Sequence, residues 1–169
     1  MANVASIRVD GAQIATMHFV LDVGRPADIG LIPATLTMHR NAFASYASED
    51  RDHVIARVQG MEKAGLNVFV DVTTLRSGED WEAKLWRVIP ESDVFYLFWC
   101  RHAKNSPWVE KEWRCALRER GLDFIDPVPL EAPEHATPPP ELASKHFNDP
   151  LLYFLSSRDH PLKSSSAST

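Results

Sequence analysis

Little sulfur, little glycine and no long apolar stretch occur in this chain, and each shortage removes a class of protein. Only two cysteines, Cys100 and Cys115, are found in 169 residues. Neither falls in a CxxC or an ordinary Cys/His ligand spacing, which argues against a disulfide framework or a zinc module and for a reduced, cytoplasmic compartment. The seven histidines are scattered, so no metal site is expected. Seven glycines form no phosphate-cradling loop, and no internal repeat is present. The longest apolar run, 94–100, is far too short to cross a bilayer, and Arg8 and Asp10 interrupt any signal-peptide core. There is no Lys/Arg-rich run either. With a net charge of -5 and a pI of about 5.8, neither nucleic acid nor an anionic membrane is expected as a partner. What remains is a soluble chain long enough for one proper core and a small extension, with a small-molecule or protein ligand.

Periodicity divides the chain into three parts: an N-terminal β-hairpin extension over 1–36, a main domain over 37–155 and a disordered tail over 156–169. In the first, Val4, Ile7 and Val9 precede Asp10-Gly11 while Ile14, Met17, Phe19 and Leu21 follow it, which reads as a hairpin that adds to the edge of the main sheet. From Asn41 strands and helices alternate. Ala42 to Tyr46 read as a strand, 49–64 as a helix with Val54, Ile55, Val58 and Met61 at helical spacing, and Val68-Phe69-Val70 as a second strand. A polar loop over 71–79 leads to a helix over 80–89. Residues 94–99 are apolar without alternation, as a strand covered on both faces by helices should be, and this predicts the central strand. Pro127 and Pro129 confine 124–129 to an edge. The fold class is therefore α/β, a flavodoxin-like doubly wound parallel sheet. In the tail, Ser164-Ser165-Ser166 carries no apolar pattern.

The most informative segment is Ser106-Pro107-Trp108-Val109-Glu110-Lys111-Glu112-Trp113. Ser106 can cap a helix and Pro107 suits its first turn, so a helix starts here and closes at Gly121. At about 100° per residue, Trp108 and Glu112 stand on one stripe beside an apolar stripe of Val109, Trp113, Ala116 and Leu117. An indole and a carboxylate are thus expected at the rim of a buried face. In a doubly wound sheet, ligands lie outside the carboxyl ends of the strands. Ser45-Tyr46, the 71–79 loop and 100–108 converge at that end, with the start of the Trp108/Glu112 helix. Read without context, Trp108 is a packing aromatic and Glu112 a solvated charge.

Five short motifs, in order, resemble those of Toll/interleukin-1 receptor (TIR) domains across about half the chain. Ala42-Phe43-Ala44-Ser45-Tyr46 is similar to the family's opening strand, Val68-Phe69-Val70-Asp71 to its second and Leu75-Arg76-Ser77-Gly78 to its BB loop. Ser92-Asp93-Val94 and Trp108-x-x-x-Glu112 are similar to the start of its third strand and to its WxxxE-like helix. The wording most resembles bacterial, NAD-cleaving TIR proteins of antiphage defence. That resemblance implies an NAD⁺ nucleosidase with Glu112 catalytic. Trp108, Tyr46, Ser45, Trp81, Asp71 and Cys100 would bind the substrate, with Trp108 stacking and Cys100 standing where the family usually has serine. It implies NAD⁺ as substrate with no further cofactor or metal, self-association through surfaces that include the 71–78 loop, and partnership with a second defence-system protein as a further possibility. The products would be nicotinamide with ADP-ribose or a cyclic isomer. Two other functions are compatible with the same residues: a non-catalytic TIR interaction module and a nucleoside deoxyribosyltransferase-like enzyme.

Overall fold

A computed structural model of the protein describes residues 2–9, 11–20, 34–70 and 81–153. The tail expected over 156–169 and the loop over 71–80, with Asp71, lie outside those residues. The main sheet holds β4 (Asn41–Ser45), β5 (Asn67–Val70), β6 (Val94–Trp99) and β7 (Ile125–Pro129), all parallel, in the order β5-β4-β6-β7. This is the flavodoxin-like order, in which the first strand of the sheet lies between the second and the third. Strand β6 is interior and buried at all six positions, and the proline-bearing β7 is at an edge, both as the sequence predicts.

Register explains much of the core. Phe43 lies opposite Phe69 on one side and Phe95 on the other, so three rings form a row across the strands. Phe43 and Phe95 stack with centroids 5.3 Å apart and planes 5° apart, and Phe43 and Phe69 stack at 5.5 Å. Such offset pairs add about 0.5–1.5 kcal/mol to the burial of the rings themselves.

Helices connect the strands. α1 (Arg51–Lys63) follows a single 3-10 turn over Ser48–Asp50, so the helix predicted over 49–64 begins slightly later. It turns back through Gly65, whose φ of 97° suits glycine. α2 (Trp81–Glu91) keeps Pro90 in its final turn. The short α3 (Arg101–Asn105) is followed at once by α4 (Pro107–Arg120). Ser106 caps α4 as predicted, its Oγ accepting from Val109 N–H at 3.3 Å, with Pro107 at the first turn. At the other end Arg120 donates to the carbonyls of Pro90 and Ser92 at 2.6 and 2.9 Å, which fastens α4 to the end of α2.

The N-terminal strands correct one expectation. β1 (Ala2–Val9) and β2 (Ala12–Val20) form the predicted hairpin, but β3 (Ala34–Met38) pairs with β2 to make a separate three-stranded antiparallel sheet. It does not extend the edge of the parallel sheet. Attachment runs instead through the end of β1 and the start of β2, where Arg8 pairs with Asp126 at 3.3 Å and Val9 packs against the core. Gln13 N–H donates to Asp126 at 2.9 Å, Tyr96 Oη donates to the Gln13 carbonyl at 2.7 Å, and Ala12 and Ile14 enter the common core. Of the extension assigned to 1–36, residues 21–33 lie outside the description.

Candidate active site

The carboxyl ends of β4 and β6 bring the predicted residues to one end of the sheet. β4 terminates in Ser45, which is completely buried, and Tyr46 follows it at 9% exposure. α4 passes this end and turns Glu112 toward the strand. Ser45 Oγ donates to Glu112 Oε2 at 2.6 Å, and the bond is buried on both sides. At 2.6 Å the contact lies at the short end of the O–H···O range.

Glu112 is only 1% exposed. The helix spacing predicts it at a rim, and the structure sets it deeper, among Val109, Trp113, Cys115 and Ala116 as the buried members of α4. A carboxylate taken out of water costs several kcal/mol unless neighbours replace its hydration, and Ser45 is one such neighbour. Trp108, one turn earlier, is half-buried, with Lys111 Nζ 5.7 Å from its ring centroid. Its face therefore already receives a cation.

Cys100, the residue after β6, is 1% exposed and gives its thiol to Asp50 Oδ2 at 2.8 Å. Burial first, and the Asp50 hydrogen bond second, push its pKa up to about 12, so the thiol keeps its proton at neutral pH. His102 Nδ1 meets the other oxygen of Asp50 at 3.1 Å. Cys100 is thus tied to the 3-10 turn after β4 and not aimed at Glu112. Asp50 and His102 were not singled out from the sequence. Trp81 supplies the first residue of α2, and its side chain lies outside the description, as does all of Asp71.

One groove of about 340 Å³ lies near this region without containing Glu112. Trp99, Trp113, Arg114 and Pro138 to Pro140 line it. Trp113 and Arg114 stand roughly 100° and 200° around α4 from Glu112, so the helix separates the groove from the carboxylate.

A parallel α/β domain with a hydroxyl-anchored carboxylate at its strand ends is the class that fold and site define. The chain belongs to the TIR domain family, whose model matches residues 43–159. Among solved structures it is similar to the TIR domain of the Toll-related receptor TRR-2 from Hydra magnipapillata. That match has 21% identity and a TM-score of 0.55, and covers 70% of this chain and 95% of that one. It is also similar, at 19% identity and a TM-score of 0.45, to the TIR domains of the activated Roq1 resistosome that recognizes the pathogen effector XopQ, over 53% of this chain and 57% of that one. The first likeness establishes the shared fold, and the second is too loose to argue from. No curated protein matches the chain. Among the described residues no helix is long and apolar enough to cross a membrane.

Proposed function

We propose that this TIR domain is an NAD⁺ glycohydrolase or cyclase of the bacterial antiphage-defence type. It cleaves the nicotinamide–ribose bond to release nicotinamide and ADP-ribose or a cyclic isomer. The observation that carries the reading is the buried Ser45–Glu112 pair at the carboxyl end of the parallel sheet.

The chemistry asks for little acid assistance. Nicotinamide leaves as a neutral ring while positive charge develops on the ribose, and a carboxylate beside that carbon stabilises the charge or attacks it, as in retaining glycosidases. Glu112 supplies the carboxylate and Ser45 fixes its rotamer. Trp108 takes the flat nicotinamidium cation on the face that Lys111 now approaches, an attraction of about 0.5–2 kcal/mol depending on desolvation. Tyr46 lines the mouth beside Ser45, and Cys100 acts by holding Asp50 and the turn that follows. Trp81, Asp71 and the loop through residue 78 complete the cover and the self-associating surface in this proposal, and the cytoplasm, where NAD⁺ is abundant, is its place of work.

At 1% exposure, Glu112 cannot touch a ribose until its surroundings open. Activity should therefore rise steeply with protein concentration, as assembly stabilises the open arrangement. The same burial supports a second reading, in which Glu112 and Ser45 only brace the fold of a non-catalytic interaction module. Incubation with NAD⁺ separates the two. The concentrated wild-type protein should release nicotinamide, and Glu112→Gln should keep its circular dichroism spectrum and melting behaviour while losing release by about a hundred- to a thousandfold, the scale on which charge-stabilising groups act. Wild-type-like turnover in that variant removes Glu112 from the mechanism, and no nicotinamide from concentrated wild type leaves the module.

A further inference from the structure

Asp50, at the end of the 3-10 turn after β4, meets Cys100 and His102 at the start of α3. One ligand-capable atom from each lies within 4.8 Å of the other two. The carboxylate is the hub: its Oδ2 is 2.8 Å from Cys100 Sγ and its Oδ1 is 3.1 Å from His102 Nδ1. We infer that these three side chains form a binding site for a borderline-soft divalent cation of the Zn²⁺ class, which ties the turn after β4 to the start of α3.

The donor set selects the ion. One thiolate sulfur, one imidazole nitrogen and one carboxylate oxygen suit zinc, whereas Mg²⁺ and Ca²⁺ require oxygen throughout. Geometry fits with a small adjustment. Zinc bonds of about 2.0–2.3 Å in a tetrahedron hold their donors about 3.4 Å apart, so the 2.8 and 3.1 Å contacts to the two Asp50 oxygens must open by roughly half an ångström, and the Cys100 sulfur and His102 nitrogen, within 4.8 Å of one another, must settle at that same spacing. His102 has room to do this, since 43% of its side chain is exposed. Cys100 is already placed, because Ala103 N–H donates to its sulfur at 3.4 Å, the kind of outer contact that supports a bound thiolate. Binding forms the Zn–S bond and releases the thiol proton to solvent, with no change of oxidation state. Three protein ligands leave a fourth position for water or an incoming ligand.

The site shares Cys100 and Asp50 with the glycosidic reading but uses neither Glu112 nor Ser45, so cobalt binding and nicotinamide release are read separately. It was missed in the sequence because Cys100-x-His102 is too short a spacing to stand out alone, and Asp50 is 50 residues away from the cysteine.

Titration of the full chain with Co²⁺, a spectroscopic stand-in for Zn²⁺, tests it. Wild-type protein should develop the near-ultraviolet absorption of a cobalt–thiolate bond, saturating at one ion per chain and reversed by Zn²⁺. Cys100→Ser should lose the band, while Cys115→Ser, which removes the other thiol, should keep it. Asp50→Asn and His102→Ala should each weaken binding by at least about tenfold, the lower limit for disturbing even an outer partner of a metal ligand. His102 is exposed, so its variant keeps the test valid should Cys100→Ser fail to fold. A wild-type protein without the band, or one whose affinity survives both Asp50→Asn and His102→Ala, overturns the inference.

Discussion

In the parallel sheet every residue of β6 is buried, whereas Val4, Ile7, Leu36 and Met38 of the N-terminal sheet keep 60%, 42%, 52% and 52% of their surface in contact with solvent. The parallel strands carry Phe43, Phe69, Phe95, Tyr96, Phe98 and Trp99 where the antiparallel strands have only Phe19, and the two sheets differ in cover as well. Helices pack on both faces of the parallel strands, so apolar runs need no alternation. In the antiparallel sheet the register gathers Ile7, Met17, Leu36 and Met38 on one face, where Ile7, Leu36 and Met38 stay exposed. Among the described residues it is the end of β1 and the start of β2 that reach the core, where Val9 packs against it, Ala12 is fully buried and Ile14 is 7% exposed. The sheet that carries the candidate site is thus held by packing over its whole area, and the other by attachment at one end. Stability should therefore be concentrated in the first, and the second should open locally at lower cost.

The largest effect expected from breaking this contrast is at Phe95. It is wholly buried, stacked on Phe43 and 6.2 Å from the Phe124 ring. Phe95→Ala should cost about 3–5 kcal/mol in urea unfolding, the range for deleting a core aromatic. A cost below 1 kcal/mol would mean that the parallel sheet is not where stability resides.

Attachment is tested next at Gly11, where φ is 87° and an added Cβ would collide with the side chain of Leu152. Leu152 is itself buried and cannot swing into water without loss. Gly11→Ala should therefore cost about 1–3 kcal/mol, from left-handed strain and overpacking together. Amide exchange should accelerate in β1 and β2 well before it does in β6. Equal acceleration in both sheets would show that they unfold as one unit.

A smaller effect lies at the junction between the sheets. Asp93 Oδ2 accepts from Asn41 N–H at 2.9 Å and Arg40 N–H at 2.8 Å, at the point where the chain passes from β3 into β4. These two backbone donors, Asn41 first, hold the Asp93 pKa below its ordinary value. A group with a depressed folded pKa contributes stability above its unfolded value of about 3.9, and that contribution disappears as pH falls through the folded pKa. Asp93 is exposed, so its share is about 1 kcal/mol. Asp93→Asn should lower neutral-pH stability by that amount and flatten the acid side of the profile. An unchanged acid limb would leave the junction to other contacts.

Most of the parallel domain was legible in the sequence because its signals are local. Unbroken apolar residues marked β6, prolines marked β7 as an edge, and Ser106-Pro107 marked the start of α4. β3 was not legible: Ala34 to Met38 are all exposed and show no burial alternation. The hairpin itself was, but a period-two pattern does not say which sheet a strand joins, so edge extension and separate sheet looked alike. At the candidate site, helical spacing placed Trp108 and Glu112 on one stripe. Topology brought Ser45 to the same end of the sheet, but nothing in the sequence supplied its hydrogen bond to Glu112, 67 residues away, or the depth of Glu112. Both are properties of how α4 lies across the strands, which no local pattern encodes.

The smallest expected effect is the sharpest check on the contrast. Leu36 and Met38 lie in β3, two residues apart on the same face, and each is 52% exposed. Were that face part of the folding core, replacing both with serine would remove two large side chains and cost several kcal/mol. Because water already reaches them, Leu36→Ser with Met38→Ser should shift the unfolding free energy of the monomer by no more than about 0.5 kcal/mol, as for ordinary surface changes. Serine has less strand preference than leucine or methionine on a half-open surface, so the residual shift should be slightly destabilising and should appear as faster amide exchange in β3 alone. A loss above 2 kcal/mol at low protein concentration would show that this face is packed within the monomer, and the division between a core-forming and an attached sheet would fall.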